Sequence, residues 1–268
     1  MGAPPGHVAV IGASGKTGRA ISAALTQRGC AVVSVGRAAW PRLPEVLAGC
    51  DAVSVVAPNL HPDEPAFVGE VLAAAEVAGV ERVVYHSVAA PYAPSMPHHL
   101  GKARAEDAVR RSASAWTILQ PCAYVQNFLP ALRSGAATLA VPYDVRRRFG
   151  LVDLADIAEA TATVLLGEGH IGATYELGGR VPASVADVAA AASGVLGRRV
   201  TAVRIDPEAW ATSEGAALDP RERTWLTAMF RYYDEHGLPA GGRVLRDLLG
   251  APATSLSHTL RRELTGPG

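Results

Sequence analysis

Three glycines stand at G-x-x-G-x-x-G spacing in Gly12-Ala-Ser-Gly15-Lys-Thr-Gly18, directly after the β-branched run His7-Val-Ala-Val-Ile11. A glycine triplet between a strand and a helix serves phosphate chemistry. The first glycine allows a sharp turn, the second lets the backbone approach a pyrophosphate, and the third lets the helix pack close to the strand. The helix mouth then offers free N–H groups and a partial positive charge. Gly15-Lys16-Thr17 also resembles the end of a nucleoside-triphosphate loop, but G-x-x-x-x-G-K-[ST] requires glycine at position 10, which is Val10 inside the strand. A plain strand–helix turn without a ligand is the bland alternative. Dinucleotide sites for NAD carry an acidic residue about 20 residues after the loop. Here Val35 is followed by Gly36 and Arg37, and no carboxylate appears until Glu45. A guanidinium at this place suits a 2′-phosphate through paired, charge-assisted hydrogen bonds, which selects NADP(H) over NAD(H) unless Arg37 is only a solvated surface charge.

The elements that must position these groups alternate along the first two thirds of the chain. Strands are expected at 7–11, 31–35, 51–56, 82–85, 116–119 and 174–177. Helices are expected at 16–28, 43–48, 66–78, 101–111 and 153–166. Strands separated by helices, with nearly continuous apolar character, mean βαβ units and a mainly parallel sheet covered on both faces. The fold class is therefore α/β, a Rossmann-type doubly wound parallel sheet. From about Ser184 helical segments take over, at 184–196, 219–236, 243–249 and 255–264. That divides the chain into a nucleotide-binding domain over residues 1–180 and a small, mostly helical lobe over 181–268. Trp210, Trp225, Phe230, Tyr232 and Tyr233 gather in the lobe although aromatics make up only 6% of the chain. They either pack the lobe or line a substrate cleft between lobe and sheet.

Composition narrows the class of partner. The 268 residues include 25 basic and 25 acidic side chains, a formal net charge of zero. This argues against nucleic acid or an anionic membrane as the main partner. No uncharged apolar span reaches the 18 residues of a membrane helix, and the first residues lack the basic segment of a secretory leader. Cys30, Cys50 and Cys122 cannot all pair and show no metal-ligand spacing, so reduced thiols in a cytoplasmic protein without a metal are expected.

Several stretches together give a family resemblance. They are Val10-Ile-Gly-Ala-Ser-Gly-Lys-Thr-Gly-Arg-Ala, His98-His-Leu-Gly-Lys102 running on to Glu106, Trp116-Thr-Ile-Leu-Gln-Pro121, Cys122-Ala-Tyr-Val-Gln-Asn127-Phe, Val152-Asp-Leu-Ala-Asp-Ile-Ala and Thr174-Tyr-Glu-Leu-Gly-Gly. The sequence resembles the NmrA-like group of atypical short-chain dehydrogenase/reductases, relatives of isoflavone reductases and of quinone-reducing NADPH enzymes, from residue 7 to about 180. Gln120 stands where that group usually has arginine and Cys122 where it usually has glycine, both beside the nicotinamide pocket that the resemblance implies.

The resemblance assigns Gly12, Ser14, Gly15, Thr17 and Gly18 to the pyrophosphate and Arg37 to the 2′-phosphate, and Lys16 is a further expected cofactor-binding residue. Pro58 and Asn59 fall near the adenine or its ribose. His86, Ser87 and Val88 end the fourth strand, and Pro121, Cys122, Ala123 and Tyr124 follow the fifth, where ligands sit in open α/β sheets. Members of the wider superfamily use Tyr-x-x-x-Lys, which is absent here; His98 and Lys102 fill that spacing, on one helical face if the helix starts early enough. Lys102 resembles the lysine of isoflavone-reductase-like enzymes. It would fix the cofactor ribose and act, directly or through water, as general acid, since a desolvated lysine can have a lowered pKa. His98 is a second proton donor by its ordinary pKa, or a mere loop residue with His99, and Tyr124 is a third. The implied activity is NADPH-dependent hydride delivery to a small-molecule ketone, quinone or enone, by a monomer or homodimer. The alternative is a non-catalytic NADP(H) sensor that reports through a protein partner.

Overall fold

The computed structural model describes residues 5–266. Six strands form one sheet: β1 (His7–Ile11), β2 (Ala31–Val35), β3 (Ala52–Val55), β4 (Arg82–His86), β5 (Ala115–Pro121) and β7 (Ala173–Leu177). Their order is β2-β1-β3-β4-β5-β7 and every neighbouring pair is parallel. The doubly wound Rossmann-type reading of the sequence is therefore the fold. Alternation along β1 shows why both faces need cover: Val8 and Val10 enter one core, Ala9 and Ile11 the other. Helices α1 (Lys16–Gln27) and α6 (Leu154–Leu166) pack side by side, and α10 (Arg243–Leu249) joins α6. In the same way α2 (Leu43–Leu47), α3 (Glu64–Ala78) and α4 (Pro97–Arg111) form a contiguous layer.

The order reverses between β1 and β3, which opens the crevice at their C-terminal ends. The glycine loop follows β1 directly into that crevice. Gly12 sits at φ +78°, and a Cβ there would lie 2.4 Å from the Val56 carbonyl oxygen. A Cβ on Gly18 would lie 2.3 Å from the Gly12 oxygen, so this glycine lets α1 press against the loop.

Several elements exceed the sequence expectation. Helix α4 begins at Pro97 rather than Gly101, because proline suits the first helical turn, and this puts His98 and Lys102 on one helix. Asp63 caps α3 by accepting a hydrogen bond from the Ala66 N–H at 3.1 Å, which brings Glu64 into its first turn. The short elements α5 (Leu129–Arg133), β6 (Thr138–Val141), β8 (Thr201–Arg204) and α8 (Pro207–Thr212) were not expected. Strands β6 and β8 form a separate parallel pair joining chain segments on either side of residue 180. Helices α7 (Val185–Leu196), α9 (Pro220–His236) and α11 (Leu256–Thr265) complete the chain, and α9 packs on α4. Among the described residues no helix is long and apolar enough to cross a membrane, and no cluster of potential metal ligands occurs.

Candidate active site

A single cavity of about 890 Å³ runs from the mouth of the glycine loop, over the ends of β4 and β5, to α9. Of the eighteen candidate cofactor-binding and catalytic residues, seventeen line it: Gly12, Ser14, Gly15, Lys16, Thr17, Arg37, Pro58, Asn59, His86, Ser87, Val88, His98, Lys102, Pro121, Cys122, Ala123 and Tyr124. Gly18 is the exception. It lies buried beneath the loop, where its contact is with the Gly12 backbone rather than with the cavity.

At the loop end the wall combines backbone with cationic side chains. Gly15 caps α1 in an extended conformation, so the first-turn N–H groups of the helix stay available. Lys16 Nζ donates to Asn127 Oδ1 at 2.5 Å and stands 5.4 Å from the centre of the Tyr124 ring. Arg37 follows β2, and beyond it Trp40 stacks on Phe67 with ring centres 4.7 Å apart. No aspartate or glutamate is among the lining residues. Bare glycine backbone, a helix mouth and two cations without a lining carboxylate match the donor set that a phosphorylated dinucleotide requires.

The middle of the cavity is Lys102. Its Nζ donates to Glu64 Oε1 at 2.7 Å and to the His86 carbonyl at 3.4 Å. The same Glu64 oxygen accepts the Tyr85 hydroxyl at 2.7 Å. His98 sits one turn before Lys102 on α4. Burial first, then Lys102 and His99, hold its imidazole at about 3, so it is neutral at physiological pH. A neutral imidazole there accepts a proton less readily than the ordinary pKa of histidine suggests. His86 is likewise held at about 3 by burial and Lys102, and His99 at about 4, chiefly by burial. Tyr124 lies beside the glycine loop, with Lys16 over its ring; burial pushes its hydroxyl to about 12, while a hydrogen bond with Thr17 acts the other way.

The far end is apolar and aromatic. Tyr143, Phe149, Phe230 and Tyr233 line it with Leu226 and Met229. The rings meet at steep angles: Phe149 and Tyr233 at 5.2 Å and 89°, Tyr143 and Tyr233 at 5.7 Å and 87°. Of the aromatics expected from the lobe, Phe230 and Tyr233 reach the cavity, whereas Trp210, Trp225 and Tyr232 do not. Cys122 faces this end as an un-ionised thiol, pushed up to about 12 mainly by burial, with its Sγ donating to the Leu238 carbonyl at 3.2 Å. Gln120 does not line the cavity. Its side chain turns to α4 and donates to the buried Glu106 at 2.7 Å, so the departure at this position does not alter the cavity wall.

Sequence reasoning missed Trp40, Phe67, Asn127, Tyr143, Phe149 and Glu64. Asn127 had a signal, because it lies within the resembling stretch after β5. Glu64 had none, since nothing local marks a carboxylate that meets a lysine 38 residues away.

Residues 41–261 match the model of the NmrA-like family. The chain is 34% identical over 171 residues to an NAD(P)H azoreductase of Xenophilus azovorans, a match covering 62% of this chain and 58% of that protein. It is 31% identical over 215 residues to a (4-alkanoyl-5-oxo-2,5-dihydrofuran-3-yl)methyl phosphate reductase of Streptomyces griseus, covering 71% of this chain and 74% of the relative. Among solved structures, an NADPH-dependent quinone oxidoreductase from Escherichia coli in complex with NADPH superimposes with a TM-score of 0.81 at 20% identity. That match covers 94% of this chain and 98% of the other.

Proposed function

Because the chain belongs to the NmrA-like family, we propose that its cavity holds NADPH and that the protein is a reductase delivering hydride to a small ketone, quinone or enone. The observation that carries this reading is the continuity of one cavity: loop and cations at one end, Lys102 at the middle, aromatic rings at the other. Both curated relatives are reductases by name. In this reading the glycine loop and the strand ends hold the coenzyme half, and Tyr143, Phe149, Phe230 and Tyr233 enclose the substrate half.

NADPH supplies the hydride when bound. The protein's own work is placement and charge. Gly12, Ser14, Gly15, Lys16 and Thr17 would hold the pyrophosphate, and Arg37 the 2′-phosphate. Lys102 Nζ, tied to Glu64 and the His86 carbonyl, would hold the ribose hydroxyls and would supply the proton taken up by the substrate oxygen. His98 and His99, both neutral, add polarity without charge. The aromatic walls exclude water and select an uncharged, flat acceptor.

The test is absorbance at the reduced-nicotinamide band with a panel of quinones, aromatic ketones and enones. Consumption of NADPH is the expected result. Tight binding without consumption by any acceptor, together with a co-purifying protein, would replace the reductase by the sensor.

A further inference from the structure

Lys102 is held by a pair of residues that never touch the cavity. Glu64 comes from the first turn of α3 and Tyr85 from β4, and neither is among the lining residues. Their side chains are buried, Glu64 at 2% and Tyr85 at 0% exposure. One carboxylate oxygen, Oε1, receives both Lys102 Nζ and the Tyr85 hydroxyl, each at 2.7 Å, while Oε2 has no partner and is shut off from solvent.

This arrangement is costly for stability alone. A buried ion pair gains little over an apolar pair of similar volume, and an unpartnered buried carboxylate oxygen adds a penalty. What it does achieve is geometric. A lysine ammonium has three donors on a flexible four-carbon stem. Here one donor is taken by Glu64 and one by the His86 carbonyl at 3.4 Å. The stem is also confined, with Nζ 5.8 Å from the centre of the Tyr85 ring. The third donor remains, on a residue that lines the cavity over the end of β4. Without Glu64 the ammonium would keep only the long contact to the His86 carbonyl, too weak to fix the stem within an open cavity.

We infer that Glu64 is the positioning residue for Lys102, with Tyr85 as its brace: the shared carboxylate oxygen spends one ammonium donor so that the remaining donor points at the ligand beyond β4. The inference rests on the NADPH-reductase reading and assigns the nicotinamide half of the coenzyme as the part that senses Glu64.

Calorimetric titration of two probes tests it, namely NADPH and adenosine 2′,5′-bisphosphate, which lacks the nicotinamide half. Glu64→Gln keeps the side-chain shape and removes the charge. It is expected to weaken NADPH about ten-fold, the loss of one charge-assisted hydrogen bond, and to leave the bisphosphate unchanged. In a Lys102→Ala background the same substitution is expected to have no further effect on NADPH, because the two residues act as one unit. Tyr85→Phe, which retains the carboxylate, is expected to shift NADPH in the same direction by a few-fold. It serves as the readout if Glu64→Gln does not fold. Equal weakening of both probes, or an additive effect of Glu64→Gln on Lys102→Ala, would make Glu64 a structural residue and overturn the inference. So would wild-type affinity for NADPH in Glu64→Gln, or in Tyr85→Phe where that variant is the readout. Failure of the wild-type protein to bind NADPH would instead remove the reductase reading itself.

Discussion

The two ends of the cavity are made by different means. At the loop end the wall is chiefly backbone and charge: Gly12 at φ +78°, the mouth of α1, Lys16 and Arg37, with the Trp40–Phe67 stack beyond. At the lobe end it is side chain and shape. Tyr143, Phe149, Phe230 and Tyr233 come from two segments about 80 residues apart in the chain, and none carries charge at neutral pH. A backbone site is dictated by a few adjacent residues and tolerates little change, since a glycine conformation cannot be borrowed from elsewhere. A side-chain site is assembled by the fold, and its identity can drift while the architecture stays. Lys102 stands where the two meet.

The sharpest test of that junction is Lys102→Ala. Loss of a positioned proton donor is expected to lower turnover by about 100-fold or more, measured as NADPH consumption at saturating substrate. Undiminished turnover would take the proton from Lys102 and leave the two ends without a common chemical centre. Arg37→Ala comes next and belongs to the loop end alone. It is expected to reduce NADPH affinity by about 10- to 100-fold, as for one or two charge-assisted hydrogen bonds, with NADH affinity and the substrate KM unchanged. A matching rise in substrate KM would show that the ends are not separable.

What could be read in the sequence follows the same division. The glycine loop was legible because its chemistry is local: a strand, a turn that needs φ near +78°, and a helix mouth. The His98–Lys102 spacing was legible as well, although the start of its helix was placed four residues late. Gly101 is a half-buried helical position where a Cβ would meet nothing, and the helix begins instead at Pro97. Gln120 was misjudged through its face. Tyr85, Ile118 and Trp116 join the core beneath α3 and α4, and strand alternation sends Gln120 to that same side, toward Glu106. Tyr143 and Phe149 stayed hidden because a four-residue strand such as β6 leaves too short a pattern to announce the wall it leads into. Glu64 depended wholly on the packing of α3 against α4.

The neutral histidines make a pH-dependent prediction that sharpens the contrast. His86, His98 and His99 all bind protons less readily in the folded protein than at their ordinary 6.5. Above about pH 6.5 neither folded nor unfolded chain protonates them, and they cost no stability. Below it the unfolded chain takes up protons that the folded chain refuses, so stability falls as pH drops toward 4, by up to about 1.4 kcal/mol per pH unit for each group. Differential scanning calorimetry from pH 7 to pH 4.5 is expected to show this decline, with a shallower slope in His98→Gln. An unchanged slope would mean that His98 accepts a proton in the fold, and a second cation would then stand beside Lys102 in acid.

The smallest effect is expected at Tyr233, and its smallness is informative. The hydroxyl makes one long contact, 3.5 Å to His99 Nε2, while His99 Nδ1 lies 3.2 Å from the Ala90 carbonyl. That carbonyl can only accept, so Nδ1 carries the ring proton and Nε2 accepts from the tyrosine. Burial raises the Tyr233 hydroxyl well above its ordinary range, so ionising it to supply a proton is costly. Tyr233→Phe removes this contact and keeps the ring against Phe149 and Tyr143. The expected result is a stability loss of about 1 kcal/mol and a substrate KM within about three-fold of the original, read by denaturant titration and initial rates. Shape then accounts for the lobe end. A hundred-fold drop in kcat would instead make the Tyr233 hydroxyl part of the chemistry, and the lobe end would have to be counted as reactive rather than merely enclosing.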